Sequence, residues 1–339
     1  MMEKGKTWLV ILFLGLGFAL GLSIWKMSPK QLENISMLPI NPIDSPVLVT
    51  TSTPSAAVSP AQVIQKSPTL WGTYTGWTPK QFKEFEAKVD NNVDLVGLFV
   101  HWGNEKDFPE EIGTWAKPLN KTLVIYWEAM DYNKKGAEDT RFSYDAINKG
   151  NWDGYIKEFA QAVKKYGGPV IIIPFEEMNG DWYPWSGTKT GNSPVTHIQA
   201  FRHIKNLFTG VNNAKFAWVV NNESVPDTAD NSIHAFYPGD SYVDYVGVNG
   251  FNFGDPWESF DQIFGKPVNE LKKYNKPIYI FSMACADGTE KADWIKNALN
   301  KMKGYGISGW IWFNENKERD WRVWSDNNSL EAFRKNLPI

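Results

Sequence analysis

Residues 169–185 read Pro-Val-Ile-Ile-Ile-Pro-Phe-Glu-Glu-Met-Asn-Gly-Asp-Trp-Tyr-Pro-Trp, and this stretch decides the fold. The continuous apolar run at residues 170–173 is typical of a strand that is buried on both faces of a parallel sheet. Two carboxylates, an amide and several aromatic rings follow where that strand should end. Because sites in parallel α/β folds lie at the carboxyl ends of the strands, the stretch predicts both a buried strand and a functional site.

Seven other short apolar runs have the length of buried strands. The eight predicted strands are residues 71–74, 95–100, 122–127, 169–174, 215–220, 243–248, 277–280 and 309–313. Amphipathic stretches separate them: Thr78-Pro79 is a typical helix start, and Phe82, Phe85 and Val89 then share one helical face. Eight strands alternating with helices predict a (β/α)8 barrel, or TIM barrel. An open doubly wound sheet is the alternative, but it usually begins with a glycine-rich phosphate loop, and the sequence shows none.

The beginning of the chain carries a charge-free apolar run at residues 7–25, flanked by Lys4, Lys6 and Lys26. As a helix this run would span roughly 27 Å, close to the thickness of the hydrocarbon core of a membrane. We therefore predict a membrane anchor in residues 1–28, with the rest of the chain outside the cytoplasm. A cleaved signal peptide, which would give a secreted protein, is the alternative, although Gly21-Leu22-Ser23 is a poor cleavage site.

Residues 29–68 are rich in Pro, Ser, Thr and Val and contain no aromatic residue. Such a segment cannot bury a core, and its prolines disfavour helix, so it predicts a disordered linker. Aromatic residues become frequent from about residue 70 onward. The predicted barrel domain therefore occupies residues 69–339.

Composition and charge argue against several function classes. The formal net charge of -3 shows no basic surplus, so we predict no nucleic-acid partner. The single cysteine, Cys285, excludes an internal disulfide framework, and the four histidines lack the spacing of metal ligands. We predict no metal, no cofactor and a monomer.

Polar and aromatic residues follow the predicted strands. In a barrel these positions meet at one end, where they would form a cleft for a polysaccharide or oligosaccharide. The aromatic content is high, with 17 Trp, 13 Tyr and 20 Phe, and flat apolar rings can stack on sugars as well as fill a core. The predicted substrate-binding residues are Trp102, Trp127, Glu128, Asn179, Trp182, Tyr183, Trp185, Phe251 and Trp312.

Glu177 is the predicted catalytic acid. Sugar hydrolysis needs a carboxylic acid that protonates the leaving oxygen, and an apolar surround keeps such an acid protonated near neutral pH. Trp182, Tyr183 and Trp185 would supply that surround. The alternative is a loop whose aromatic rings only close the mouth of the barrel.

The string at residues 177–185, Glu-Met-Asn-Gly-Asp-Trp-Tyr-Pro-Trp, resembles the signature of glycoside hydrolase family 26, the β-mannanase family. Weaker matches at residues 144–147, 152–156, 243–247 and 312–322 extend the resemblance over most of residues 70–326. The resemblance implies a retaining (β/α)8 hydrolase that acts mostly on β-mannans, with some members acting on mixed-linkage β-glucans or β-xylans. It also implies that Glu177 is the general acid/base.

The chain departs from the family pattern at the position of the nucleophile. The family places a second carboxylate at the end of the seventh strand, and the register of residues 291–295 puts that position on Ser282. A serine hydroxyl carries no charge, and no histidine lies nearby in the sequence to activate it. Glu176 also replaces the usual His, and Phe251 lies near the usual Tyr.

Two functions therefore stay open from the sequence. In the first, an extracytoplasmic hydrolase of a β-1,4-linked polysaccharide such as β-mannan uses Glu177 with a relocated carboxylate, for which the candidates are Glu176, Glu128, Asp287 and Glu315. A partner roughly 6.5–9.5 Å from Glu177 would give an inverting mechanism. In the second, the protein is a catalytically impaired carbohydrate-binding pseudoenzyme.

Overall fold

The computed structural model describes residues 69–104, 107–134 and 139–338. A closed barrel of eight parallel strands, arranged in chain order, forms the centre of this region. The strands are β1 (Leu70–Tyr74), β2 (Leu95–His101), β3 (Thr122–Glu128), β4 (Val170–Pro174), β5 (Ala214–Asn221), β6 (Tyr245–Asn252), β7 (Ile278–Cys285) and β8 (Ile307–Phe313). The closure confirms the predicted (β/α)8 barrel and excludes the doubly wound sheet.

Helices surround the barrel. They are α1 (Pro79–Val89), α2 (Glu110–Ala116), α3 (Tyr144–Asn148), α4 (Asp153–Tyr166), α5 (Pro194–Leu207), α6 (Lys266–Leu271), α7 (Lys291–Tyr305) and α8 (Asn327–Asn336). The connection between β5 and β6 carries two short 3₁₀ helices, Ala229–Asn231 and Ile233–Phe236.

Helix α1 shows how the local sequence determines these elements. The Thr78 hydroxyl accepts a hydrogen bond from the Gln81 backbone N–H, and the Gln81 side chain accepts one from the Thr78 N–H, which is a complete capping box. Phe82, Phe85 and Val89 are all buried on one face, as their spacing predicts. The predicted helix start is confirmed.

The apolar residues form two separate clusters. The smaller cluster contains residues of the strands alone, among them Tyr126, Ile171, Val219 and Phe281, and it fills the inside of the barrel. The larger cluster joins the alternate strand residues to the buried faces of the helices. This division follows from the period of two along a strand, which points successive side chains to opposite faces.

Strands β6 and β7 extend further than the sequence predicted. They reach Asn252 and Cys285, whereas the predicted strands end at residues 248 and 280. Asn249 pairs with Ser282 after a register shift, so that residue 281 is an extra residue on β7. Asn249, Phe251 and Ser282 therefore lie within strands and are held by the barrel itself.

The predicted membrane anchor (residues 1–28) and the predicted linker (residues 29–68) lie outside the described residues. Within residues 69–104, 107–134 and 139–338, no helix has the length and apolar character that crossing a membrane requires.

Candidate active site

The chain turns sharply where β4 ends. Phe175 and Glu177 both adopt the left-handed backbone conformation, with φ of 59° and 55°. This region is sparsely populated by residues other than glycine, and it persists only where surrounding contacts hold it. The Glu177 N–H donates to the Val219 carbonyl of β5 at 3.0 Å, and the Gly180 N–H donates to the Glu177 carbonyl at 2.9 Å. These bonds fix the turn to the mouth of the barrel.

The Glu177 carboxyl group is 9% exposed and binds two donors. Its Oε1 accepts from Asn249 Nδ2 at 2.9 Å, and its Oε2 accepts from Trp182 Nε1 at 2.8 Å. Burial raises the pKa of Glu177 above its usual range, while these two hydrogen bonds act in the opposite direction because they favour the charged form. The result is a carboxyl group that retains its proton to higher pH, as a general acid requires.

Gly180 allows Trp182 to reach this position. A Cβ atom on Gly180 would lie 2.6 Å from Cζ2 of the Trp182 ring, which is far closer than carbon atoms approach in proteins. The glycine in the string at residues 177–185 therefore has a steric explanation: only a residue without a side chain admits the indole that binds Glu177.

A second group of titratable side chains lies beside Glu177. His101 Nε2 is 2.7 Å from Glu128 Oε2, at the ends of the neighbouring strands β2 and β3. The charge of Glu128 acts on the carboxyl group of Glu176, a residue that is 1% exposed. Neither carboxyl oxygen of Glu176 has a hydrogen-bond partner among the described residues. Burial, and after it the Glu128 charge, raise the pKa of Glu176 well above its usual range, so Glu176 retains its proton to higher pH.

Ser282 faces the site next to Asn249. The register shift on β7 pairs Ser282 with Asn249, whose amide binds Glu177, and Ser282 is 4% exposed. The structure therefore brings Ser282 close to the candidate acid, on the strand where the family resemblance implies a nucleophile. Its hydroxyl group is too short and too weakly acidic to replace a carboxylate.

Four tryptophans predicted to bind substrate are completely covered by protein, which corrects that expectation. Trp102, Trp127, Trp185 and Trp312 are at most 1% exposed. Trp127 stacks on Phe159 of α4, and the other three also lie in the cluster between strands and helices. Because all four rings are buried in this cluster, no ring face is open to a sugar.

Asn179 is also a structural residue. It is fully buried, its Nδ2 donates to the carbonyls of Asn221 and Glu223 at 3.1 Å, and its Oδ1 accepts from the Asn221 N–H at 2.8 Å. These bonds join the loop after β4 to the loop after β5. The predicted substrate contact is therefore corrected to a role in holding the turn that carries Glu177.

Tyr183 and Phe251 are half-buried at the mouth of the barrel. Tyr183 stacks on Trp185 at a centroid distance of 4.3 Å and lies beside Glu128, whose charge adds to the rise in the Tyr183 pKa that burial causes. Phe251 contacts Trp321 at a centroid distance of 5.3 Å. Both remain candidates for contact with a substrate, as predicted.

Three large aromatic side chains are exposed at the carboxyl ends of the strands. Trp182 is 44% exposed, Tyr132 is 45% exposed, and Phe253 is 52% exposed. The sequence prediction included Trp182 and missed the other two. Tyr132 and Phe253 follow closely on β3 and β6, and this position after a strand could have identified them. The sequence does not show, however, which of the aromatic rings after the strands are exposed.

The remaining candidate carboxylates are less well placed. Asp287 is exposed in the loop after β7, and Glu315 is half-buried near Arg322 and Lys317. Among the described residues, no group of three or more His, Cys, Asp and Glu side chains has an arrangement that could hold a metal ion.

Comparison with known proteins identifies the family. The model of glycosyl hydrolase family 26 matches residues 50–331. The chain belongs to this family. Endoglucanase H of Acetivibrio thermocellus is 35% identical over 286 residues, which are 78% of this chain and 30% of that protein. Mannan endo-1,4-beta-mannosidase A and B of Caldalkalibacillus mannanilyticus is 31% identical over 194 residues, which are 55% of this chain and 33% of that protein.

This family 26 chain spans about a third of the length of these curated relatives. A solved GH26 beta-mannanase from Bacteroides ovatus has the same fold, with a TM-score of 0.63 over 80% of this chain and 88% of that chain at 16% identity. A modular endo-beta-1,4-mannanase from Cellulomonas fimi gives a TM-score of 0.61 over 79% and 70% at 15% identity. By sequence and fold the chain is a member of glycosyl hydrolase family 26, as the motif resemblance implied.

Proposed function

We propose that this family 26 protein hydrolyses a β-1,4-linked polysaccharide such as β-mannan, with Glu177 as the general acid. The observation that carries the proposal is the Glu177 carboxyl group, which is buried, has a raised pKa and lies at the mouth of the barrel. The exposed rings of Trp182, Tyr132 and Phe253 near the same end of the barrel provide surfaces on which sugars can stack. Mannan is the first substrate to test because relatives such as the Caldalkalibacillus protein are mannosidases, and β-glucan is the second because another relative is an endoglucanase.

We further propose that the pair of Glu128 and Glu176 replaces the missing nucleophile. The pair is buried beside Glu177, and His101 Nε2 lies 2.7 Å from Glu128 Oε2, where it can stabilise negative charge on that carboxyl group. In this mechanism Glu177 gives its proton to the glycosidic oxygen, water adds to the anomeric carbon, and the pair accepts the proton that the water loses. Since no bond to the protein forms, the configuration at that carbon inverts.

The test is hydrolysis of soluble mannan and β-glucan by residues 69–339, measured as new reducing ends. Glu177→Gln should lower the rate by about 100-fold or more, the usual contribution of a general acid. Glu128→Gln and Glu176→Gln, each measured separately, should both lower it, and proton NMR during the reaction should show the inverted anomer first. Equal rates for the wild type and Glu177→Gln would end the hydrolase proposal, and a retained anomer would end the role of the pair.

A carbohydrate-binding pseudoenzyme is the second candidate, and the position of Ser282 favours it. Ser282 occupies the place beside Asn249 where a retaining enzyme would need a carboxylate. This candidate predicts that the protein binds immobilised mannan or glucan without releasing sugar, and that Glu177→Ala binds as tightly as the wild type. Release of sugar that depends on Glu177 would exclude it.

We also propose that the barrel works outside the cytoplasm, tethered by residues 1–28 or secreted after their cleavage. The apolar run flanked by lysines supports this proposal. Fractionation of cells that express the full chain, with protease added to intact cells, tests it. For a tethered protein we expect the added protease to degrade the barrel on intact cells. A barrel found in the soluble cytoplasmic fraction would contradict the proposal.

A further inference from the structure

A series of buried hydrogen bonds ends at the backbone carbonyl of Glu176, the residue before the candidate acid. Trp185 Nε1 donates to the Glu176 carbonyl at 2.7 Å, and the Tyr144 hydroxyl lies 2.6 Å from the Trp185 carbonyl. His197 Nδ1 lies 2.7 Å from the same hydroxyl. Trp185, Tyr144 and His197 are at most 1% exposed, and they come from the loop after β4, from α3 and from α5.

The direction of these hydrogen bonds follows from their geometry. The Trp185 carbonyl can only accept, so the Tyr144 hydroxyl must donate to it. The hydroxyl oxygen then accepts from His197 Nδ1–H. His197 Nε2 therefore carries no proton, so it has no N–H group that would need an acceptor. Burial lowers the pKa of His197 to about 3, so the ring stays neutral in this arrangement at all ordinary pH values. The bond from His197 polarises the Tyr144 hydroxyl and so strengthens its bond to the Trp185 backbone carbonyl.

The hydrogen bond from the Trp185 indole holds the turn at residues 175–177, whose backbone conformation is unfavourable without surrounding contacts. Glu176 lies between Phe175 and Glu177, and both neighbours have positive φ angles. Such residues cost of order 1–3 kcal/mol each and relax unless the surroundings over-determine them. The Glu176 carbonyl is the group between these two residues, and the Trp185 indole binds it from the side away from the cleft.

We propose that Trp185 is a positioning residue, supported by Tyr144 and His197, which holds the turn at residues 175–177 in its left-handed conformation and so keeps the Glu177 carboxyl group in its buried place. Without the indole bond the turn relaxes and Glu177 moves toward water. The buried position, and the strong retention of the proton that burial causes, therefore depend on side chains that never touch the substrate.

The test uses Trp182 as a reporter of the Glu177 proton. Trp182 Nε1 donates to Glu177 Oε2, so the nitrogen and proton shifts of this indole change as Glu177 ionises. In the ¹⁵N-labelled full chain, the Trp182 signal is assigned by its loss in Trp182→Phe and is followed from pH 3 to pH 9, about the range in which carboxyl groups titrate in proteins. This readout does not depend on turnover, so the positioning proposal can fail while the proposed hydrolase activity holds, and the reverse.

Trp185→Phe should move the Trp182 titration midpoint down by about one pH unit, toward the ordinary value of a glutamate, because Glu177 gains solvent. Loss of the titration from a folded protein also supports the proposal, since it means that Trp182 and Glu177 have separated. The matched control is Trp294→Phe, which removes another buried indole bond to a backbone carbonyl, Trp294 Nε1 to the Glu258 carbonyl at 2.8 Å, and should leave the midpoint unchanged.

Tyr144→Phe provides a second variant because it removes one oxygen atom and keeps the ring. It should move the midpoint in the same direction by a smaller amount, even where Trp185→Phe fails to fold. A folded Tyr144→Phe or Trp185→Phe protein with the wild-type midpoint would overturn the proposal. So would an equal shift in Trp294→Phe, because the effect would then be a general loss of stability.

Discussion

Asn249 on β6 binds Glu177, which follows β4: its Nδ2 donates to Glu177 Oε1 at 2.9 Å across 72 positions of sequence. The same Asn249 is paired in register with Ser282 on β7. One amide therefore connects the candidate acid to the strand position at which the family resemblance implies a nucleophile. This relationship explains how Glu177 can keep a defined position with Ser282 at that place.

Removing this amide should raise the pKa of Glu177 further. The Asn249 bond favours the ionised carboxylate and so lowers the pKa against the effect of burial, and Asn249→Ala removes that contribution. Since a general acid works while protonated, the alkaline limb of the profile of kcat/KM against pH should move to higher pH. Asn300→Ala, which removes an exposed amide that binds a helix carbonyl, should leave the limb in place. A limb that moves to lower pH in Asn249→Ala would contradict the assignment of Glu177 as the acid.

A carboxylate at position 282 should change the mechanism. Ser282→Glu places a negative charge beside Asn249, where a retaining enzyme has its nucleophile, and should raise the rate of hydrolysis by about 10-fold or more if the acid is competent. Ser282→Gln has nearly the same size without the charge, and serves as the control. NMR of the first product should then show retention for Ser282→Glu. The same rate for the Glu and Gln variants would mean that the site has lost more than its nucleophile.

The buried pair of carboxyl groups should make the stability of the barrel depend on pH. The pKa of Glu176 is raised in the folded state, so its contribution to stability is fully present below the ordinary glutamate pKa and is lost as pH rises through the folded pKa. Glu176→Gln cannot ionise, so its free energy of unfolding should exceed that of the wild type by about 1 kcal/mol or more at pH 8.

Urea unfolding at pH 4 and pH 8 measures this effect. At pH 4 the two proteins should differ little, because Glu176 is then protonated in both folded and unfolded chains. Glu84→Gln changes an exposed carboxyl group, 58% of whose side chain is accessible, and should show no comparable difference between the two pH values. A Glu176→Gln protein that is less stable than the wild type at pH 8 would show that Glu176 is ionised in the fold and paired with a cation.

Phe253 should contribute to binding and little to stability. Its ring is 52% exposed near the carboxyl ends of the strands, so Phe253→Ala should raise KM for a soluble polysaccharide several-fold while the melting temperature changes little. Leu119→Ala removes an equally exposed apolar side chain, 55% accessible, just before β3 at the opposite end of the barrel. An unchanged KM in Phe253→Ala, or the same rise in Leu119→Ala, would remove Phe253 from the binding surface.

The barrel, the approximate positions of its eight strands and the location of the candidate acid could all be predicted from local sequence patterns. Apolar runs that alternate with amphipathic stretches admit few arrangements, because a strand buried on both faces must have helices outside it and other strands beside it. Glu177 could be found because it directly follows such a run, in a string that resembles a family signature. Both features are local patterns, which can be recognised in a sequence without knowledge of the tertiary structure.

Which side chains face the cleft could not be predicted from the sequence, because it depends on how the strands and helices pack. Trp102 and Trp127 are buried on the helix side of the barrel, whereas Tyr132 and Phe253 are exposed to solvent. A shift of one residue along a strand moves a side chain from one face of the sheet to the other. The extra residue at position 281 places Ser282 next to Asn249, and the pairing of β3 with β4 brings Glu128 to Glu176. Burial and contact between distant strands depend on how the whole chain packs, so composition and spacing cannot supply them.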